Sequence, residues 1–120
     1  MQCVFRIACL SAFLLVACDC ASLERKLIGA WSGCSIDICS TNTFRSDHTM
    51  GSRFDGSDSD SYSGTWRVEG DQVVIHVLQA GPGASDIVGK DLAWIIFDIQ
   101  KDSFVAGYDK EHKLTWTRVK

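Results

Sequence analysis

From residue 30 onward, the chain alternates between short runs of strand-forming residues and clusters of turn residues. Turn signals such as "EGD" and "GPGASD" separate the runs, and no long helical pattern lies between them. Short connections favour antiparallel hairpins, because parallel strands need a crossover of about a dozen residues or more. The pattern predicts an all-β domain of about eight short strands, built as an up-and-down barrel or a small sandwich. The predicted strands are Ala30–Cys34, Asp37–Phe44, Thr49–Phe54, Tyr62–Glu69, Gln72–Leu78, Leu92–Gln100, Ser103–Tyr108 and Lys113–Val119.

Two of these runs, Gln72–Leu78 and Leu92–Gln100, are apolar on both faces. Such strands are typical of the centre of a sheet, where one face meets the core and the other is partly covered. In the second run, strict alternation assigns one face to Ala93, Ile95, Phe97 and Ile99.

Large aromatic side chains are spread along the whole domain. The four tryptophans are Trp31, Trp66, Trp94 and Trp116. We expect them to pack in the core, with an exposed aromatic that binds a partner as the alternative. A small barrel whose side chains are this large is expected to have a filled interior.

The first 17 residues have the features of a secretory signal peptide. Arg6 supplies the positive charge, and the apolar stretch from Ile7 to Val16 is about ten residues long. A spanning helix needs about 20 residues, so this stretch is too short to cross a membrane. The sequence therefore predicts a signal peptide (1–17), a tether (18–24) and a barrel domain (25–120).

The residues "LVAC" that end this segment resemble the lipobox of bacterial lipoproteins. The resemblance implies that Cys18 is alkylated with a diacylglyceryl group, becomes the new N-terminus and is acylated again. Two or three acyl chains such as palmitate then anchor the protein firmly in a membrane. Cys20 fits this role poorly, because Asp19 would precede the cleavage site. Asp19 resembles an inner-membrane retention signal, but the choice of membrane stays open.

After the tether, the sequence "SLERKLIG" predicts one or two turns of helix. Ser22 is the expected N-cap and Gly29 the expected stop. Leu23, Leu27 and Ile28 would face one side, so the helix is expected to close one end of the domain.

Four segments, "LIGAWSG", "NTFRSDHT", "SGTWRVEGDQVVI" and "LTWTRV", resemble the lipocalin-like domains of small bacterial lipoproteins. The resemblance implies a small antiparallel up-and-down barrel. In it, Gly29 and Trp31 open the first strand, and Arg118 packs on Trp31 as a cation–π pair. His48 stands where that family usually has a turn glycine, which implies a left-handed backbone at a non-glycine residue.

Cys34 and Cys39 could meet across a hairpin, and an oxidising envelope favours a structural disulfide between them. A redox-active pair is the weaker alternative, because no C-x-x-C helix start is present. Cys20 is then either free or paired between molecules.

Little else in the sequence points to chemistry. The net charge of −3 and the lack of a basic stripe argue against nucleic acid as a partner. Asp55, Asp58 and Asp60 could gather around Ca²⁺, but a solvated loop is the stronger interpretation. The three histidines are scattered, and no catalytic constellation, metal site or cofactor motif is evident.

The sequence therefore predicts a non-enzymatic lipoprotein of the bacterial cell envelope that faces the periplasm. It would bind a small apolar ligand or an envelope component. The alternative is a periplasmic inhibitor of proteases or lysozymes, or another protein-interaction module. Such a module would use the tether and the loop from Asp55 to Ser61.

Overall fold

A computed structural model describes residues 19–57 and 59–120. The chain begins with a helix, continues through eight strands, and has a short 3-10 helix at Pro82–Ile87 between the fifth and sixth strands. The elements are α1 (Asp19–Leu27), β1 (Gly29–Ser35), β2 (Ile38–Phe44), β3 (Thr49–Phe54), β4 (Tyr62–Glu69), β5 (Gln72–Ala80), β6 (Asp91–Ile99), β7 (Ser103–Gly107) and β8 (Lys113–Arg118).

Each strand pairs antiparallel with the next, and β8 returns to pair with β1 through Trp31 opposite Arg118 and Ser32 opposite Thr117. The result is a closed barrel with the strands in sequence order. The predicted all-β fold is therefore confirmed as an eight-stranded up-and-down barrel like those of lipocalins, and the sandwich alternative is excluded. Closure leaves no sheet edge open for pairing with another chain.

The barrel has two different ends, which we name by what covers them. The closed end is covered by α1 and carries the turns at 45–48, 70–71 and 100–102. The open end carries the loops at 36–37, 55–61, 81–90 and 108–112.

The closed half of the barrel is densely packed. Its largest fully buried side chains are Leu27, Trp31, Phe44, Met50, Ile75 and Phe104. Trp31 and Phe104 meet edge to face, with ring centroids 4.8 Å apart, and Phe44 meets Trp66 similarly at 5.2 Å. Burial of aromatic and aliphatic surface on this scale supplies the main driving force for folding.

The helix α1 begins at Asp19, so the predicted N-cap at Ser22 is wrong. Ser22 lies inside the helix, where a serine costs only a few tenths of a kcal/mol. Residues 19–21 include neither glycine nor proline, so the helix can begin ahead of Ser22. Leu27 is fully buried and Leu23 and Ile28 pack against the core, as their predicted common face requires.

Strict alternation fails in β6. A register shift between Ile96 and Asp98 leaves Phe97 40% exposed, while Ile96 and Ile99 both pack against the core. A β-bulge inserts one extra residue into a strand, so side chains on its two sides no longer follow a single period of two. The predicted face that joined Phe97 to Ile99 is therefore wrong.

Within the described part of the chain, no helix combines the length and apolar character needed to cross a membrane.

Candidate functional site

A cavity of about 570 Å³ lies at the open end of the barrel. Its walls come from strands on both sides of the barrel and from the loops at 55–61 and 81–90. The expectation of a completely filled interior is therefore wrong for this half. The physical reason is that small polar side chains replace bulky ones on β2 and β3, so the core layer above Phe44 and Met50 is incomplete.

One wall of the cavity is polar. Asn42 on β2 pairs with Ser52 on β3, and Ser52 pairs with Tyr62 on β4, so three neighbouring strands place these side chains together. Asn42 is 1% exposed and Ser52 is 6% exposed. Burial raises the pKa of the Tyr62 hydroxyl above its usual value, although the nearby Ser52 hydroxyl opposes the rise. This wall offers uncharged hydroxyl and amide groups only.

Asn42 has an unsatisfied hydrogen-bonding group. Its Oδ1 is buried and has no hydrogen-bond partner in the protein. Most buried polar side-chain atoms are paired, so each exception calls for an explanation. Asn42 also lines the cavity, and rotation of its amide group can present either the oxygen or the nitrogen to the interior. A bound molecule that donates a hydrogen bond would satisfy the oxygen.

The opposite wall is aromatic. Trp94 on β6 and Trp116 on β8 stack with their ring centroids 5.8 Å apart and an interplanar angle of 12°. Trp116 lies against β1 at Gly33, where a Cβ atom would come within 2.6 Å of its ring. Glycine at this position therefore lets the indole lie flat against the strand and form a smooth apolar wall.

The loops complete the cavity. Pro82 and Ile87 of the 81–90 loop line it, and the amide of Gly81 donates a hydrogen bond of 2.8 Å to the carbonyl of Ser61. This bond continues the β4–β5 ladder beyond Tyr62 and Ala80 and joins the bases of the 81–90 and 55–61 loops at the mouth.

The charges around the two ends differ. The four open-end loops contain seven carboxylates and two lysines, whereas the three closed-end turns contain three carboxylates and two basic residues. Among the described residues that line the cavity, Asp60 alone is charged. Its Oδ1 lies 3.5 Å from Nε of Arg53, and its Oδ2 lies over the backbone of Gly51 on β3. The mouth is therefore acidic, while the interior is uncharged.

The predicted pair Cys34 and Cys39 forms a disulfide at the open end. The two residues are directly opposite each other in the hairpin of β1 and β2, with Cα atoms 4.0 Å apart. The disulfide holds a short turn in which Ile36 is 95% exposed and has a φ of 56°. Positive φ is rare for a β-branched residue, so this turn is strained.

The residues predicted to close the barrel meet at the other end. The Arg118 guanidinium carbon lies 4.1 Å from the centroid of the Trp31 ring, and Arg118 donates to the carbonyls of Ile28 and Lys26 at 3.0 Å each. Gly29 has a φ of 135°, and a Cβ atom there would meet Arg118. The Trp31 indole donates a 2.8 Å hydrogen bond to the carbonyl of Leu27. This group fastens α1 to the barrel and lies away from the cavity.

The three histidines are far apart, and each has its own carboxylate. His48 lies 2.9 Å from Glu24, while His76 and His112 lie 2.8 Å from Asp91 and Asp109 respectively. The hydrogen bond to His76 lowers the pKa of Asp91. His48 has the left-handed φ of 70° that its place in the turn implied. Pairs of this kind hold turns and strands together.

No metal-binding cluster of three or more His, Cys, Asp or Glu side chains occurs in residues 19–57 and 59–120. Asp58 of the candidate calcium loop lies outside the described residues. So do Cys18 and the signal peptide, and the side chain of Cys20 is also outside them. The lipidation site therefore stays a prediction.

Sequence reasoning missed Asn42 and the polar wall, although a signal was present. Phe44 is a large apolar residue at the end of the predicted second strand, and alternation along this strand places Ser40 and Asn42 on the same face as Phe44. Two polar residues on a core-facing side indicate either a cavity or an internal hydrogen-bond network.

No protein-family model matches the chain, and no curated protein matches its sequence.

Proposed function

We propose that this protein is a cell-envelope lipoprotein whose barrel binds a small, largely apolar molecule in the cavity at its open end. The observation that carries the proposal is the cavity of about 570 Å³ with the Trp94–Trp116 wall. Ligand sites are typically clefts of roughly 300–1,000 Å³, lined by apolar and aromatic side chains with a few placed polar groups. The cavity fits that description in size and in lining.

The anchoring chemistry is proposed from the sequence. Cys18 immediately precedes α1, which packs across the closed end. Acyl chains on Cys18 would therefore hold the closed end toward the membrane and direct the cavity away from it. In this orientation the cavity faces the aqueous side, where a soluble ligand can enter.

The proposal is for binding without catalysis. Among the described residues that line the cavity, none is a histidine, cysteine or lysine, and the single carboxylate contacts Arg53 at the rim. A catalytic site usually pairs a nucleophile or general base with an orienting group. The hydroxyls and the amide of this cavity are groups that orient a ligand.

The test is native mass spectrometry of the full-length protein released from nanodiscs. We expect the wild-type protein to carry an additional mass of a small molecule from the envelope. Ser40 lines the cavity, so Ser40→Trp should fill it and remove that mass. Thr41, its neighbour with the opposite orientation, provides the control Thr41→Trp, which should retain the mass. Retention of the mass by Ser40→Trp would place the ligand elsewhere and contradict the proposal.

A second candidate function is a protein-interaction or inhibitor module, which is favoured by the disulfide-held turn at Cys34–Cys39. Ile36 projects from this turn with 95% exposure on a strained backbone. Strained residues held by their surroundings often occur at functional sites. A photo-crosslinking residue at position 36 should capture a single envelope protein if this function is correct. Loss of the crosslink in Cys34→Ser/Cys39→Ser, but not in Asn42→Leu, would separate it from ligand binding.

A further inference from the structure

The chemistry of the cavity narrows the class of ligand that it can take. The interior presents an uncharged polar wall on one side and an aromatic wall on the other. A ligand that satisfies both walls has one polar edge and one apolar face. This argument rests on the proposed function, and it names the ligand class for the same site.

An anionic ligand is disfavoured at both the entrance and the interior. The open-end loops carry seven carboxylates against two lysines, so the mouth repels negative charge. Among the described residues that line the interior, no lysine or arginine could pair with a carboxylate or phosphate. An unpaired buried charge is far more costly than an unpaired dipole.

A cationic ligand is disfavoured by the interior of the cavity but not by its mouth. The acidic mouth would attract it, but among the described lining residues the one carboxylate, that of Asp60, lies against β3 and contacts Arg53. The stacked Trp94 and Trp116 rings could provide some cation–π attraction. That attraction would have to offset desolvation of the cation without a counter-charge inside the cavity.

The unpaired Oδ1 of Asn42 identifies the polar group that the ligand must bring. This atom is an acceptor without a donor and is itself closed to solvent, in a residue that is 1% exposed and lines the cavity, so rotation of the amide is what would turn it toward a ligand. Leaving it unpaired is costly, and the cost is recovered only when a donor arrives. The hydroxyls of Ser52 and Tyr62 on the same wall can serve as donors or acceptors to the rest of a polar edge.

We propose that the cavity selects an uncharged amphipathic molecule that places a flat apolar body on Trp94 and Trp116 and donates a hydrogen bond from a hydroxyl or amide group to Asn42. The donor pairs the buried oxygen, and the apolar body covers the indole wall. Both interactions are made in a cavity that is already formed, which limits the entropy lost on binding.

The test uses four probes on one naphthalene body, titrated by calorimetry into the full-length protein in nanodiscs with protein-free nanodiscs subtracted. The probes are 2-(naphthalen-2-yl)ethanol, its methyl ether, 2-(naphthalen-2-yl)ethylamine and 3-(naphthalen-2-yl)propanoate. We expect the alcohol to bind about tenfold or more tightly than each of the other three, because only the alcohol is uncharged and carries a donor.

The variant Asn42→Leu should reduce the affinity of the alcohol to that of the ether. The matched control is Thr41→Leu, which changes the outward-facing neighbour and should leave the affinity unchanged. Equal affinity of the ether or of either charged probe for the wild-type protein would overturn this inference and leave the proposed function standing. Failure of all four probes to bind would overturn both.

Discussion

At the scale of single residues, the Asn42 side chain lowers the stability of the fold, whereas the proposed ligand needs it as a hydrogen-bond acceptor. Its Oδ1 is buried without a partner, which costs about 1–3 kcal/mol relative to a paired group. An apolar residue of similar shape would remove that cost. The position retains a polar side chain on the inward face of β2, between Ser40 and Phe44. A ligand that donates a hydrogen bond to Oδ1 of Asn42 would explain why a polar residue occupies this inward-facing position.

We predict that Asn42→Leu raises the free energy of unfolding by about 1 kcal/mol while weakening ligand binding. The cavity beside Asn42 has room for the larger side chain, so overpacking should not offset the gain. Urea denaturation of the ligand-free protein measures the change, with Thr41→Val as the control. A marked loss of stability would show that the Asn42 amide supports the fold.

Tyr62 gives a second prediction, on pH. Burial raises the pKa of its hydroxyl above the usual 10, so the folded state favours the neutral form. The stabilisation is complete below pH 10 and is lost as the pH rises through the higher pKa of the folded protein. Urea denaturation at pH 8 and pH 11, values on either side of about 10, should therefore show a larger loss for the wild type than for Tyr62→Phe. Equal losses would contradict this assignment.

At the scale of elements, the attachment of α1 depends on Arg118. Its guanidinium stacks on Trp31 and donates to the carbonyls of Ile28 and Lys26, so one side chain joins β8, β1 and the end of the helix. The first strand and the helix are thus fastened at the point where the barrel closes. Because the lipid anchor is predicted at Cys18, the Arg118 contact would also connect the anchored helix to the barrel.

We predict that Arg118→Ala lowers the free energy of unfolding by about 2–3 kcal/mol, through loss of the cation–π contact and of hydrogen bonds from a charged donor. Arg118→Lys should recover less than half of the loss, because an ammonium cannot reproduce the planar fork. Hydrogen exchange should increase in α1 before it increases in β5. An unchanged helix in Arg118→Ala would show that the packing of Leu23, Leu27 and Ile28 holds it without Arg118.

The sequence predicted the elements better than it predicted the site. Turn residues and alternation identified all eight strands, because these signals are encoded locally. The contact between Trp31 and Arg118 at the closed end was implied by the resemblance to lipocalin-like domains. The cavity was missed because its walls come from β2, β3, β4, β6 and β8, and which of their residues lie level with one another depends on the register of the barrel. The bulge in β6 changes that register, and no local sequence pattern indicates the bulge.

At the scale of the whole molecule, the two ends of the barrel differ in packing and in charge. The closed end has the dense aromatic core and the helix, and the open end has the cavity and the acidic loops. Under the proposed function, anchoring and binding therefore belong to opposite ends of the barrel. Anchoring would depend on Cys18, and binding on Asn42 and the two stacked tryptophans.

We predict that Cys18→Ser loses lipid labelling and moves from the membrane fraction to the soluble fraction. Its affinity for 2-(naphthalen-2-yl)ethanol should remain within about twofold of the wild-type value, because the cavity lies at the opposite end of the barrel. Cys20→Ser should stay labelled and membrane-bound. If Cys18→Ser remains labelled in the membrane fraction, the lipidation site is elsewhere.

The central claim is that the cavity at the open end is the ligand site, and fluorine NMR of 5-fluorotryptophan-labelled protein tests it most directly. The chain has four tryptophans, of which Trp94 and Trp116 line the cavity while Trp31 and Trp66 lie in the core of the closed half. Titration with 2-(naphthalen-2-yl)ethanol should shift the resonances of Trp94 and Trp116 and leave the other two in place. Shifts confined to Trp31 and Trp66, or no shifts at saturating probe, would contradict the account.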